Sequence, residues 1–222
     1  MNNNIIFIGG FENTGTRLVV IFLQRIGYVT KKTNDELDYL SNHFLELFDK
    51  YYFDKDHMPI INNINNNFKN DINVVIKHGH LCFLNKILKQ IYPNSKNILC
   101  VRNPLDMLAK PSHNYVRYGK YSSESPAILN KINHLNKWYS DEIIESSDII
   151  IRMEDMVFNT YDTCKKITKI LNIKCDDNII LNFCKEIKPS STIGSGINLL
   201  KTSTNDELKH INNFIDNFYN KI

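Results

Sequence analysis

The stretch Ile5-Ile6-Phe7-Ile8-Gly9-Gly10-Phe11-Glu12-Asn13-Thr14-Gly15-Thr16-Arg17 decides the fold. Four apolar residues bounded by a glycine pair read as a buried strand. Leu18, Ile21, Phe22 and Ile26 then recur at three and four residues, which predicts a helix from about Gly15 to Gly27. A glycine loop that leads from a strand straight into a helix aims several backbone N–H groups, and the positive end of the helix dipole, at one spot suited to phosphate. The loop comes close to GxxxxGK[ST], but Thr16 stands where a nucleotide triphosphatase has lysine, which disfavours ATP or GTP chemistry.

Three further segments repeat the theme. Asn73-Val74-Val75-Ile76 leads into Lys77-His78-Gly79-His80 and a helix through Ile91. Asn97 to Val101 leads into Arg102-Asn103-Pro104, with proline suited to a first helical turn, and Ile149-Ile150-Ile151 leads into Arg152-Met153-Glu154-Asp155. Short β-branched runs alternating with helical patterns predict an α/β fold: a three-layer, mainly parallel sheet with a P-loop-like nucleotide site and helical insertions. Each strand is followed by polar residues at its carboxyl end, where open α/β sheets bind ligands. Helical insertions are expected at Asp35 to Phe53, Pro126 to Ser146, Tyr161 to Leu171, Asp176 to Ile187 and about Asn205 to Asn220. With no internal repeat and no long linker, residues 1–222 read as a single α/β domain.

The composition agrees. At 42% hydrophobic and 23% charged, the chain is an ordinary globular one, not a disordered tail, a fibre or a membrane bundle. A net charge of +3, from 27 Lys+Arg against 24 Asp+Glu, offers no bulk attraction for nucleic acid, yet a few converging cations suffice for a small polyanion. Cys82, Cys100, Cys164, Cys175 and Cys184 contain no CxxC pair and read as reduced core residues. The amino terminus lacks a basic region and a long apolar run, so a cytoplasmic protein without a membrane segment is expected. The patch Asn62-Asn63-Ile64-Asn65-Asn66-Asn67 reads as a solvated loop.

Taken together, Asn13-Thr14-Gly15-Thr16-Arg17, Val101-Arg102-Asn103-Pro104-Leu105-Asp106 and Arg152-Met153-Glu154-Asp155-Met156 resemble the sulfotransferases that use 3′-phosphoadenosine 5′-phosphosulfate. Those enzymes carry a [KR]-S-G-T-[TS] loop, a V-R-[DN]-P-x-D strand end and a Y-E-D-L-like stretch in the same order. The resemblance runs from Ile5 to about Ile173. It implies sulfuryl transfer from that co-substrate, without a metal, to a small-molecule, glycan or protein hydroxyl or amine.

It also implies roles for particular residues. Asn13, Thr14, Gly15, Thr16 and Arg17 would hold the 5′-phosphosulfate, and Arg102 the 3′-phosphate, with Lys110 at the position of the family's assisting serine and Ser112 two residues on. Lys77 would face the bridging oxygen, and His80 or His78 would be the base, since a histidine near pKa 6.5 can take the acceptor's proton; His80 is preferred because it would begin the cleft-lining helix. Glu12 is the rival base, and Glu154 and Asp155 are expected to brace neighbouring loops. The basic, aromatic segment from Lys110 to Trp138 reads as an acceptor lid, with a plain amphipathic helix pair an equal alternative for Asn130 to Ile144, and Lys188 to Gly196 reads as a late phosphate loop or a connector. Asn13 stands where the family has a lysine or arginine, so the alternatives are a nucleotide-binding protein of the same fold with impaired catalysis and, less well supported, a small-molecule kinase.

Overall fold

The computed structural model describes residues 4–11, 13–30, 57–68, 73–109, 128–189 and 193–222. Four strands, β1 (Asn4–Gly9), β2 (Asn73–Lys77), β3 (Lys96–Val101) and β4 (Ile149–Arg152), form one parallel sheet in the order β2-β1-β3-β4. The register pairs Ile8 with Lys77, Gly9 with Leu99 and Val101 with Arg152, so all four strands end along one edge. The four strand segments expected from the sequence are therefore present.

Helices α1 (Thr16–Arg25), α2 (Met58–Phe68), α3 (Asn85–Ile91), α4 (Pro104–Leu108), α5 (Ile128–Trp138), α6 (Asp141–Glu145), α7 (Met153–Phe158), α8 (Thr160–Ile170), α9 (Asp177–Glu186), α10 (Gly196–Thr202) and α11 (Asn205–Tyr219) surround the sheet. A 3-10 turn over Gly79–Leu84 feeds α3. Successive strand side chains point to opposite faces. Ile98, Cys100, Ile149 and Ile151 accordingly join one core with Val19, Phe22, Ile64, Ile167 and Phe183, whereas Leu99 and Val101 join another with Met107, Leu135, Trp138, Ile211 and Phe214. Sheet between two helical layers is the three-layer arrangement. Each such buried aliphatic or aromatic side chain contributes about 1.5–3 kcal/mol.

The amino edge is locked by Asp148, just ahead of β4. Its carboxylate accepts the Asn97 N–H at 2.8 Å and pairs with Lys89 at 3.2 Å and Lys96 at 3.4 Å. Burial alone would raise this carboxyl, but the Asn97 N–H and the two lysines outweigh it and hold it below the usual carboxylate range.

Some expectations are corrected. The Asn62 to Asn67 patch is not a loop but lies in α2, because Ile60, Ile61 and Ile64 fall on one helical stripe and are at most 2% exposed. Burial of that stripe overrides the poor helix propensity of asparagine. Within the helical insertion expected at Pro126 to Ser146, the described residues form two helices, α5 and α6, the second starting after Ser140, in keeping with the helix pair read over Asn130 to Ile144. Short helices α7 and α10 arise where the sequence suggested polar loops. All five cysteines are free, but only Cys82, Cys100 and Cys164 are buried; Cys175 and Cys184 are half-buried. The expected Asp35 to Phe53 helix lies outside the described residues.

Replacing Ile64 by alanine should cost about 2–4 kcal/mol of unfolding free energy, whereas Asn66→Ala on the exposed side of α2 should stay within about 0.5 kcal/mol. Urea denaturation of both variants checks this, and a neutral Ile64→Ala would refute the buried stripe.

Candidate functional site

At the carboxyl edge the end of β1 has no side chains, and that permits three strands to close on one point. A Cβ on Gly9 would lie 2.6 Å from the Cys82 nitrogen, and one on Gly10 would overlap the Cys100 carbonyl oxygen of β3. Gly10 N–H donates to the Gly79 carbonyl at 3.1 Å, joining the β1 loop to the β2 loop. The chain then turns through left-handed positions at Asn13 (φ 63) and Gly15 (φ 84), the latter capping α1. Asparagine and glycine are the residues that tolerate this conformation. The first N–H groups of α1 have no acceptor inside the helix, and a helix start after such a loop is a geometry that can receive an anion. Thr14 is 1% exposed and its hydroxyl donates to the Phe11 carbonyl at 2.6 Å. That hydroxyl braces the loop.

Arg102 begins the β3 loop. Asn103 caps α4 by accepting the Leu105 N–H at 2.9 Å, Pro104 occupies the first turn, and Glu154 after β4 accepts the Asn103 N–H at 2.9 Å. Glu154 is thus a loop brace, as its sequence context suggested. The Arg102 side chain, 1% exposed, donates from Nη1 to the Asn13 carbonyl at 3.3 Å and pairs through Nη2 with Asp106 at 3.6 Å. Asp106 also accepts the N–H groups of Gly194 and Gly196, both at 2.8 Å. The loops after β1 and β3 and the late loop before α10 are therefore tied to one another.

Lys77, His78 and His80 are 8%, 6% and 7% exposed at the end of β2. Lys77 is near enough to Cys100 for its charge to oppose the burial that pushes that thiol up to about 12. His78 Nδ1 accepts the His80 N–H at 3.3 Å. His80 packs at 5.0 Å against Trp138, which also meets Phe83 at 4.7 Å and Phe11 at 5.3 Å, and whose indole N–H donates to His134 Nε2 at 3.2 Å. Burial drives the His80 imidazole down to about 4, with nearby His134 adding to it; burial and Lys137 bring His134 to about 4 as well. Both rings are therefore neutral at pH 7.

The structure brings the 10–15 loop, Lys77, His78, His80 and Arg102 to one sheet edge. Arg17 lies exposed on the second position of α1. Glu12, Lys110 and Ser112 lie outside the described residues. Among the described residues, no group of three His, Cys, Asp or Glu side chains is placed to hold a metal ion, and no helix is long and apolar enough to cross a membrane. Sequence reasoning missed the part that Asp106 plays; its place one turn after Arg102 was the visible signal, while the loop it reaches is about ninety residues away. It also missed the pairing of Trp138 with His134, whose signal was their spacing of four within α5.

A histidine with a depressed folded-state pKa binds fewer protons folded than unfolded, so stability, the unfolding free energy, falls as pH drops from 6.5 through about 4. Thermal melts across that window should show the loss, and His134→Gln should flatten it. A pH-independent melt over this range would contradict the burial of both rings.

No protein-family model matches the sequence, and no curated protein matches it. Solved structures do. The sulfotransferase STF9 from Mycobacterium avium superposes on 100% of this chain and 77% of its own at a TM-score of 0.66, with 8% identity. Mouse sulfotransferase SULT7A1, complexed with PAP, does so over 95% and 82% at 0.55 with 16% identity, and the sulfotransferase STF1 from Mycobacterium tuberculosis H37Rv over 84% and 72% at 0.54 with 11% identity. The parallel sheet of four strands flanked by helices thus agrees with these structures: the chain has the sulfotransferase fold.

Proposed function

We propose that the protein is a sulfotransferase that moves a sulfuryl group from 3′-phosphoadenosine 5′-phosphosulfate to a hydroxyl or amine. The observation that carries this reading is the bond from Arg102 to the Asn13 carbonyl, which sets an arginine beside an anion cradle in a chain of this fold. A nucleotide with phosphate on both the 5′ and 3′ positions needs two adjacent anion sites, and bidentate arginine suits the second. The co-substrate would supply a sulfuryl group already activated for transfer.

In the proposed assignment the left-handed loop from Asn13 to Gly15, with the first N–H groups of Thr16 and Arg17, holds the 5′ end. Arg102 and, from the sequence alone, Lys110 hold the 3′-phosphate. Transfer forms a bond from the acceptor oxygen or nitrogen to sulfur and breaks the bond from sulfur to the bridging oxygen. The acceptor's proton passes to a base, and adenosine 3′,5′-bisphosphate leaves with the bond's electron pair. Lys77 would balance the charge that grows on the departing oxygen, and His78 and His80 stand next to it in sequence as the candidate bases. The acceptor class is a small molecule, a glycan or a protein side chain. Five free cysteines suit a reducing, cytoplasmic setting.

Two observations favour a second reading, a nucleotide-binding protein of the same fold without transfer activity. Asn13 brings no charge to the loop, and a His80 held near 4 is a weak base at pH 7. His78, in turn, already uses Nδ1 to accept a backbone N–H.

Calorimetry should show adenosine 3′,5′-bisphosphate binding at least about tenfold tighter than AMP, a difference of about 1.4 kcal/mol, and Arg102→Ala should erase the difference. Equal affinities for the wild-type chain would end the reading. With radiolabelled donor and an acceptor panel, transfer should be measurable and Lys77→Met should lower kcat by about 10²–10³-fold. Tight donor binding with no labelled product would instead establish the second reading.

A further inference from the structure

A buried carboxylate costs several kcal/mol in lost hydration unless charge and hydrogen bonds repay it. The Asp106 side chain is 3% exposed, and its two oxygens are fully committed. Oδ1 accepts Gly196 N–H at 2.8 Å, while Oδ2 accepts Gly194 N–H at 2.8 Å and faces Arg102 Nη2 at 3.6 Å. The partners come from two places, the end of β3 and a loop about ninety residues later, and Asp106 on α4 joins them. The approach of that loop is built in, because a Cβ on Gly196 would lie 2.5 Å from Leu105 Cγ and 2.6 Å from its carbonyl carbon. On its other side the same guanidinium donates through Nη1 to the Asn13 carbonyl. A planar guanidinium with both ends fixed is held in a single orientation.

We propose that Asp106 is a positioning residue of the nucleotide site: one buried carboxylate sets the orientation of Arg102 and the seat of loop 194–196 together, and this joint placement makes the site select a nucleotide carrying a 3′-phosphate. The inference rests on the nucleotide reading above. It extends that reading by assigning the selectivity to a residue that does not itself touch the nucleotide. Asp106→Asn preserves shape but puts an NH₂ donor against a backbone N–H and removes the charge that balances Arg102.

The test is calorimetric titration of the full chain with AMP and with adenosine 3′,5′-bisphosphate. In Asp106→Asn the ratio of the two dissociation constants should fall at least about tenfold while AMP affinity changes less than about threefold. A purely structural aspartate would weaken both nucleotides alike or neither, so an unchanged ratio overturns the inference. A wild-type chain that fails to prefer the bisphosphate overturns the nucleotide reading itself, which keeps the two failures apart. Should Asp106→Asn not fold, hydrogen exchange on the wild-type chain decides: the bisphosphate should slow amide exchange over residues 193–197 at least about fivefold more than saturating AMP does. Equal slowing by both nucleotides, or none by either, overturns the assignment.

Discussion

The candidate site depends on a close approach of backbones at the end of β1. Gly9 lies against the backbone of the 3-10 turn after β2, and Gly10 lies against the carbonyl that ends Cys100 on β3. With any larger residue the β1 loop would have to stand away from both neighbours, and the hydrogen bond from Gly10 to Gly79 would be lost. Removing two side chains lets a central strand hand its loop to both flanking strands at once. The left-handed turn, the start of α1, Lys77 and Arg102 are all placed by that junction.

Two carboxylates, Asp148 partly buried and Asp106 fully so, clamp the two edges of the sheet in different ways. Asp148 gathers Lys89, Lys96 and the Asn97 N–H at the amino edge, joining neighbouring strands where nothing needs to bind. Asp106 gathers one guanidinium and two backbone N–H groups at the carboxyl edge, joining a strand to a segment near the end of the chain. The first serves register. The second ties together the elements on which the proposed nucleotide site stands.

The strands were legible because each is a short β-branched run closed by polar residues, and the order of the strand-end motifs pointed to the right fold. Parallel pairing then followed from the helices between them. What the sequence concealed had physical reasons. The stripe of Ile60, Ile61 and Ile64 is short and set among asparagines, so local propensity masked a helix that only tertiary burial makes. The loop-bracing Thr14 hydroxyl and the reach of Asp106 to Gly194 are three-dimensional facts with no periodicity to betray them. His80 looked like an ordinary titrating imidazole because nothing local announces that Trp138 and Phe83 will desolvate it.

Trp138 is the chain's sole tryptophan, and it stands where the loops after β1 and β2 meet. Its ring lies 3.6 Å from the place a Cβ on Gly79 would take, against Phe11 on one side and His80 on another, with its N–H held by His134. Indole emission responds to the polarity and mobility of its immediate surroundings. The protein thus carries a native optical probe seated where the loops after β1 and β2 meet, and a rearrangement of Phe11 or Gly79 is expected to register as a change in colour or intensity without a label.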